Sequence, residues 1–294
     1  MNWQANTCSI PVDILNAVAV KTVVGIQTIQ HISTGCYADI YLLTLQNTTS
    51  CILKLFRFPG IAEQELRSYD IIKSNHALPM PELLFADPAR NYICMEYIQG
   101  LPLSRVSTPN DALASEVADL LIHCHKCHRA ASTAEATHHW QTVYSSRQKD
   151  ILKRSKLLAE NGQLEEDTYR IFEFSTSALL QVLGNSVQRL SLIHGDFTPW
   201  NIMVDCKSEY VTAVLDPYLA GYGDSEYDLM MMNKANGIPL NLVASYLQKI
   251  PPSTQFERKA VYYNAWNELC HYFYSNRKQT MNISERAYEL KQVI

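Results

Sequence analysis

His194-Gly195-Asp196-Phe197-Thr198-Pro199-Trp200-Asn201 decides how this chain is read, because it sets an Asp and an Asn five positions apart in a loop-like stretch. Fifteen residues beyond Asn201, Asp216 ends the apolar run Ala213-Val214-Leu215-Asp216. Phosphoryl transfer asks for this residue set: one carboxylate facing an attacking hydroxyl, and an amide oxygen with a second carboxylate holding magnesium against nucleotide phosphates. Asp196 is therefore the candidate catalytic carboxylate, and Asn201 and Asp216 are candidate catalytic residues that supply the metal ligands. Magnesium takes hard oxygen donors and keeps several waters, so two protein ligands plus phosphates suffice. An Asp after three apolar residues is also costly to bury without a cation or strong donors.

Working outward, Lys54 interrupts an otherwise apolar stretch, Cys51-Ile52-Leu53-Lys54-Leu55-Phe56. An unpaired ammonium there would be expensive, which calls for a carboxylate partner. Glu63 and Glu65 in the following Glu63-Gln64-Glu65-Leu66-Arg67-Ser68-Tyr69 are the two candidates. The first hundred residues are strand-rich: Lys21–Ile32, Cys36–Leu45, Cys51–Phe56 and Asn91–Ile98 have strand character, with a polar turn at residues 46–49. Ile61–Ser74 has helical spacing, Pro79 and Pro81 break the chain, and Gln99-Gly100-Leu101-Pro102 reads as a connector. Helices are expected over Ala112–Ala131, Asp150–Ala159, Leu164–Leu183, Leu240–Ile250, Phe256–Ser275 and Ser284–Val293, with Asn161-Gly162 as a stop signal. Ser225 and Asp228 have the spacing of a capping box for a helix starting near Glu226.

These features together resemble the protein-kinase-like fold, and the HGD form followed by Asp216-Pro217 is similar to the aminoglycoside phosphotransferase branch. Asp216-Pro217-Tyr218-Leu219-Ala220-Gly221-Tyr222-Gly223-Asp224-Ser225-Glu226-Tyr227-Asp228-Leu229 resembles the DP…G(D/H)xE(Y/F)(D/E)L stretch of aminoglycoside and fructosamine kinases; choline kinases share the architecture. The resemblance implies an α+β, bilobal fold: a small β-rich N-lobe over 1–96 and a larger, mostly helical C-lobe over 97–294. It implies ATP and Mg2+ as cofactors and a small-molecule hydroxyl as acceptor. Lys54 would contact the α- and β-phosphates and pair with Glu65, which the family's E-x-x-x-Y spacing favours over Glu63. Gly35, in Ser33-Thr34-Gly35-Cys36-Tyr37-Ala38, would lie in the phosphate-covering loop, although that loop has one glycine where protein kinases have three. Glu96, Tyr97 and Ile98 would form the hinge that meets adenine through its backbone, with Met95 behind it. His194 would brace the loop without taking part in chemistry. Acceptor contacts would come from beyond Asp228, with Trp266 and Glu268 as guesses. The alternatives are a catalytically silent nucleotide-binding protein of this fold and a protein kinase; only a dozen residues separate Asp216 from the next helix, which disfavours a docked peptide.

Composition agrees with a globular protein of two lobes: 294 residues, 47% hydrophobic and 18% charged. The net charge of −4 offers no basic excess for nucleic acid and would suit a cationic substrate. No apolar run is long enough to span a membrane, and Met1-Asn2-Trp3-Gln4-Ala5-Asn6 lacks the start of a secretory signal, so the cytoplasm is expected. Eight cysteines read as reduced thiols, and His123-Cys124-His125-Lys126-Cys127-His128 has no second ligand pair elsewhere to complete a zinc site. Oligomeric state is not legible.

Overall fold

The computed structural model describes residues 10–108, 110–274 and 282–294, with the backbone alone at Tyr274. The expectations for Met1–Asn6 and for the helix end at Ser275 lie outside the described residues. The chain divides into two compact units: residues up to Arg67 with Pro79–Gln99, and Ser68–Leu78 with Gly100–Ile294.

The first unit is built on an antiparallel five-stranded sheet in the order β1-β2-β3-β5-β4. Its strands are β1 (Ile26–Thr34), β2 (Ala38–Leu45), β3 (Ser50–Phe56), β4 (Leu83–Asp87) and β5 (Tyr92–Glu96). Side chains alternate between faces, as the period of a strand requires. One face gathers Tyr41, Leu43, Leu45, Cys51, Leu53, Tyr92 and Cys94 beneath α1 (Val12–Thr22). The other gathers Ala38, Ile40, Phe56, Ile93 and Met95 beneath the first turns of α2 (Ile61–Ser74). Helix α1 and strand β4 are absent from the sequence reading. The strand expected from Lys21 begins at Ile26, because Lys21 and Thr22 finish α1, which buries Ile14, Leu15 and Val18.

The second unit is helical around two small sheets. Its helices are α3 (Asp111–Lys126), α4 (Thr133–Glu160), α5 (Glu166–Ser175), α6 (Leu179–Leu183), α7 (Glu226–Met232), α8 (Leu242–Leu247), α9 (Phe256–Tyr274) and α10 (Ile283–Lys291). The short strands β6 (Leu101–Pro102), β7 (His128–Arg129), β8 (Leu190–Ile193), β9 (Ile202–Val204), β10 (Val211–Val214) and β11 (Gly221–Gly223) make sheets ordered β10-β9-β6 and β11-β8-β7. Helix α4 starts far ahead of the expected Asp150. The signal at its start is a capping box, Ser132 accepting from the Glu135 N–H while Glu135 accepts from the Ser132 N–H. Among the described residues no helix is long and apolar enough to cross a membrane.

An aromatic core joins α4, α7 and α9. Tyr144 and Tyr263 meet edge-on at 5.0 Å, Tyr227 and Tyr263 at 5.3 Å, and Trp140 donates its indole N–H to the Tyr263 hydroxyl at 2.8 Å. Offset and edge contacts of this kind suit ring quadrupoles. Within this core Lys259 is fully buried, held by Asp224 at 2.7 Å and Glu226 at 2.6 Å. The pair of carboxylates neutralises the ammonium and ties α9 to the start of α7. Removing one member of a buried pair strands the others. Lys259→Ala is thus expected to lower unfolding free energy by about 3–5 kcal/mol, measured by urea denaturation.

Candidate active site

The HGD stretch is the crossing from β8, whose four residues are all buried, to β9 in the neighbouring sheet. Its conformation is imposed by Asp228, on α7. The Asp228 side chain is fully buried and accepts the His194 N–H at Oδ2 and the Gly195 N–H at Oδ1, both at 2.8 Å. His125 Nε2 lies 3.3 Å from the same Oδ2, and His125 Nδ1 lies 2.8 Å from the Tyr246 hydroxyl. A carboxylate can only accept, so the His125 proton belongs on Nε2 and Nδ1 accepts from Tyr246. The capping-box reading of Asp228 is therefore corrected. Ser225 makes no side-chain cap, and the Asp228 carboxylate is spent on the loop across from its helix. Its spacing from Ser225 fits a capping box, while the donors that claim it are 33 and 34 residues away.

Gly195 has φ +81°, and a Cβ there would sit 2.2 Å from the Tyr218 carbonyl oxygen. Only glycine accepts both conditions. The turn after Asp216 thus lies directly against the HGD stretch. Pairing along β9 and β10 brings the second half of the site in: Val214 faces Ile202, and the Leu215 N–H donates to the Asn201 carbonyl at 2.7 Å. The next residue is Asp216, at φ +55°, a left-handed conformation that Asp tolerates better than most residues.

Asn201 Nδ2 donates to Asp196 Oδ2 at 2.9 Å and to the Asp196 carbonyl at 3.0 Å. The amide oxygen of Asn201 is thereby left as its acceptor. Asp196 keeps partial exposure, yet the protein packed around it and the Asp216 charge push its pKa up to about 7, against the Asn201 hydrogen bond and the charge of Arg147. A carboxyl raised in this way can take up a proton near neutrality. The His194 imidazole is buried and accepts the Asp196 N–H at Nδ1, 3.3 Å; burial holds its pKa below the ordinary value. That geometry is structural bracing.

In the first unit Lys54 is 4% exposed, and its Nζ lies 2.5 Å from Glu65 Oε1. Glu63 is instead exposed beside Arg67. Gly35 lies in a turn closed by its own N–H on the Ala38 carbonyl at 2.8 Å, and a Cβ there would meet nothing closer than 3.5 Å. Arg57 donates to the Gly35 and Cys36 carbonyls and pairs with Asp39, so a side chain holds this loop where glycines are few. Glu96 ends β5 with its N–H on the Glu82 carbonyl at 2.9 Å, and Tyr97 and Ile98 follow outside the strand. Trp266 is 1% exposed and packs edge-on to Phe172 at 5.3 Å, which removes it from contact with any ligand. Glu268 is paired with Lys234. His123, Cys124 and His125 turn to separate partners, His76, Leu192 and Asp228.

The donor set fits magnesium. One carboxylate and one amide oxygen are hard ligands at the end of paired strands, and among the described residues no cluster of three or more His, Cys, Asp or Glu could hold a metal by itself. An ion here would complete its shell with phosphate and water, as Mg2+ does. Asp228→Ala is expected to cost about 3–5 kcal/mol, because two backbone donors and His125 lose a charged acceptor. Thermal unfolding checks this, and phosphate-transfer assays of the folded fraction should show activity lost as well.

The family model of the phosphotransferase enzyme family matches residues 28–251. Solved structures of the same fold include the aminoglycoside phosphotransferase APH(2'')-Ib with ADP bound, 16% identical, TM-score 0.68, covering 97% of this chain and 99% of that one. A candidate fructosamine-3-kinase from Haemophilus somnus 129PT is 12% identical, with TM-score 0.74 and 96% of each chain covered. The macrolide 2'-phosphotransferase MphH of Brachybacterium faecium is 16% identical, TM-score 0.60, covering 95% and 98%. At these identities the structures speak for the fold: α+β, with a sheet-based unit followed by a helical one. The family match spans most of the chain, from β1 past the HGD stretch and α7, and the chain belongs to the phosphotransferase enzyme family.

Proposed function

We propose that this phosphotransferase uses ATP with Mg2+ and moves the γ-phosphoryl group to a hydroxyl of a small molecule in the cytoplasm. The observation that carries the reading is the contact between Asn201 Nδ2 and Asp196 Oδ2, with Asp216 beside them on the adjoining strand end. Asp196 orients the acceptor hydroxyl and takes its proton as the new O–P bond forms and the bond to the β-phosphate oxygen breaks, releasing ADP. Asn201 Oδ1 and the Asp216 carboxylate are the proposed Mg2+ ligands. When bound, the ion supplies charge neutralisation on the phosphate oxygens. Lys54, aligned by Glu65, is proposed for the α- and β-phosphates, and Glu96, Tyr97 and Ile98 for the adenine edge, with the Glu96 carbonyl in place of its committed N–H. Gly35 is proposed to lie over the phosphates in a loop held by Arg57.

The segment between the Asp216 turn and α7 supports a small acceptor. Between them lies only β11 with short flanking turns, so a peptide-docking activation segment has no counterpart. Catalysis on this account is positioning plus electrostatics.

Asp196→Ala should reduce ATP-dependent phosphorylation by about 10³-fold with thermal unfolding little changed, since a general base contributes roughly 10²–10⁴-fold. Chelation by EDTA should stop turnover and added Mg2+ should restore it. In Asp216→Ala the restoration should fail at any accessible Mg2+ concentration. Full turnover in either variant would contradict the assigned roles.

A further inference from the structure

Arg147, on α4, is a charged side chain near the reacting centre for which the proposed transfer has no use. Its Nη1 donates to the Tyr227 hydroxyl, its Nη2 to Asn267 Oδ1 at 3.3 Å, and its guanidinium carbon lies 5.6 Å from the Tyr227 ring centre. Both partners are neutral. Among the described residues Arg147 has no carboxylate within 4.0 Å. By contrast, Lys54, Lys234 and Lys259 each hold a carboxylate. A guanidinium stays charged in proteins and carries about five N–H donors, of which these contacts use one each at two nitrogens. Donors and a net positive charge therefore remain, on a side chain that keeps partial exposure.

The position matters as much as the charge. The Arg147 partner Tyr227 directly precedes Asp228, whose carboxylate holds the His194 and Gly195 N–H groups, and Asp196 is the next residue. Glu268, the residue after the Arg147 partner Asn267, has Oε1 on Lys234, which also holds Asn264 Oδ1 at 2.5 Å. Beside Asn267, a cationic group of the acceptor would therefore meet an unbalanced cation and a neutralised glutamate.

We propose that the acceptor is a hydroxy acid, whose carboxylate pairs with Arg147 while its hydroxyl lies at Asp196. This rests on the phosphoryl-transfer reading above and narrows its substrate class. The guanidinium fork matches a carboxylate in plane, in a two-bond arrangement. One uncompensated cation balances one negative charge, whereas a phosphate dianion would call for a second cation, and Lys234 is committed to Glu268. A carboxylate on the acceptor departs from the cationic substrate that the overall charge of −4 would suit.

The experiment compares D-glycerate with glycerol and D-gluconate with sorbitol as acceptors, by ADP release and phosphate transfer. Choline and kanamycin serve as cationic arms and glycerol 3-phosphate as the phosphate arm. Alongside, sodium acetate is titrated at constant ionic strength while the Nε–Hε NMR signal of Arg147, assigned by its loss in Arg147→Lys, is followed. In each pair the acid should have kcat/KM at least about 10-fold above its neutral counterpart, the scale of a charged hydrogen bond. Arg147→Lys should erase that preference and leave the KM for ATP unchanged. Acetate should shift the Arg147 signal saturably, and tetramethylammonium chloride should not.

Preference for choline, kanamycin, the polyols or glycerol 3-phosphate would overturn the assignment, as would a variant that slows all acceptors alike. If no compound of the panel is phosphorylated, or if Arg147→Lys fails to fold, the acetate titration of the wild-type chain decides, with the Arg147 signal then assigned from backbone connectivity; a flat response overturns the proposal. Failure of the transfer reading itself looks different: Asp196→Ala would then match wild type whatever acetate does.

Discussion

Everything at the candidate site depends on one buried carboxylate. Asp228 accepts two consecutive backbone N–H groups, from His194 and Gly195, and shares a third contact with His125. Each hydrogen bond to a charged acceptor contributes about 1.5–3 kcal/mol, and the low polarity around the group makes an unmet donor there costly. The bidentate grip fixes the start of the crossing from β8 to β9. The position of Asp196 follows one residue later, and that of Asn201 follows from its bonds back to Asp196. Asp216 arrives independently, through the β9–β10 pairing and the contact of its turn with the bare Cα of Gly195. Two separate constraints thus bring the two acidic groups into one neighbourhood.

Asp228 is in turn held from outside. Helix α7, on which it lies, begins where Asp224 and Glu226 meet Lys259 of α9, and Glu226 also accepts the Ser253 N–H. His125 anchors the other side from α3, supported by Tyr246 of α8. Asp196 therefore rests on a chain of buried polar contacts, each satisfied by the next. Such networks are rigid when complete and costly when one member is removed. The partly exposed Asp196, its carboxyl pushed up to about 7, thus lies beside groups whose polar atoms are committed to one another.

Much of this was legible in the sequence where chemistry depends on neighbours in the chain. The Asp196–Asn201 spacing, the Lys54 interruption of an apolar strand and the α2 span Ile61–Ser74 all reflect local periodicity, and the structure shows the Asn201–Asp196 contact and the Lys54–Glu65 pair. What escaped was set by distant partners. Asp228 has a local explanation as a cap, and nothing nearby in sequence reveals that its acceptors are claimed by His194 and Gly195, just past β8. Trp266 and Glu268 were guessed from residue type, but the burial of one and the pairing of the other depend on α5 and on Lys234. Arg147 carried no signal at all, because its meaning lies in the carboxylate it lacks. Helix α1 and strand β4 were missed because their stabilisation comes from packing, with weak amphipathic patterns of their own; the start of α4 carries a local signal, the Ser132–Glu135 capping box, that was passed over. The alternation of β2 was visible; that of β1, largely exposed, was blurred.

Asn201 and Asp216 are proposed as a divalent-ion site supported by the Asp228-held loop. A crystal structure of the chain grown with Mn2+ and a non-hydrolysable ATP analogue, examined by anomalous scattering at the manganese edge, tests it most directly. A manganese peak bonded to Asn201 Oδ1 and the Asp216 carboxylate and to oxygens of the analogue's phosphates is expected. A bound nucleotide whose metal is held by other side chains, with Asn201 and Asp216 turned away from it, would contradict the account.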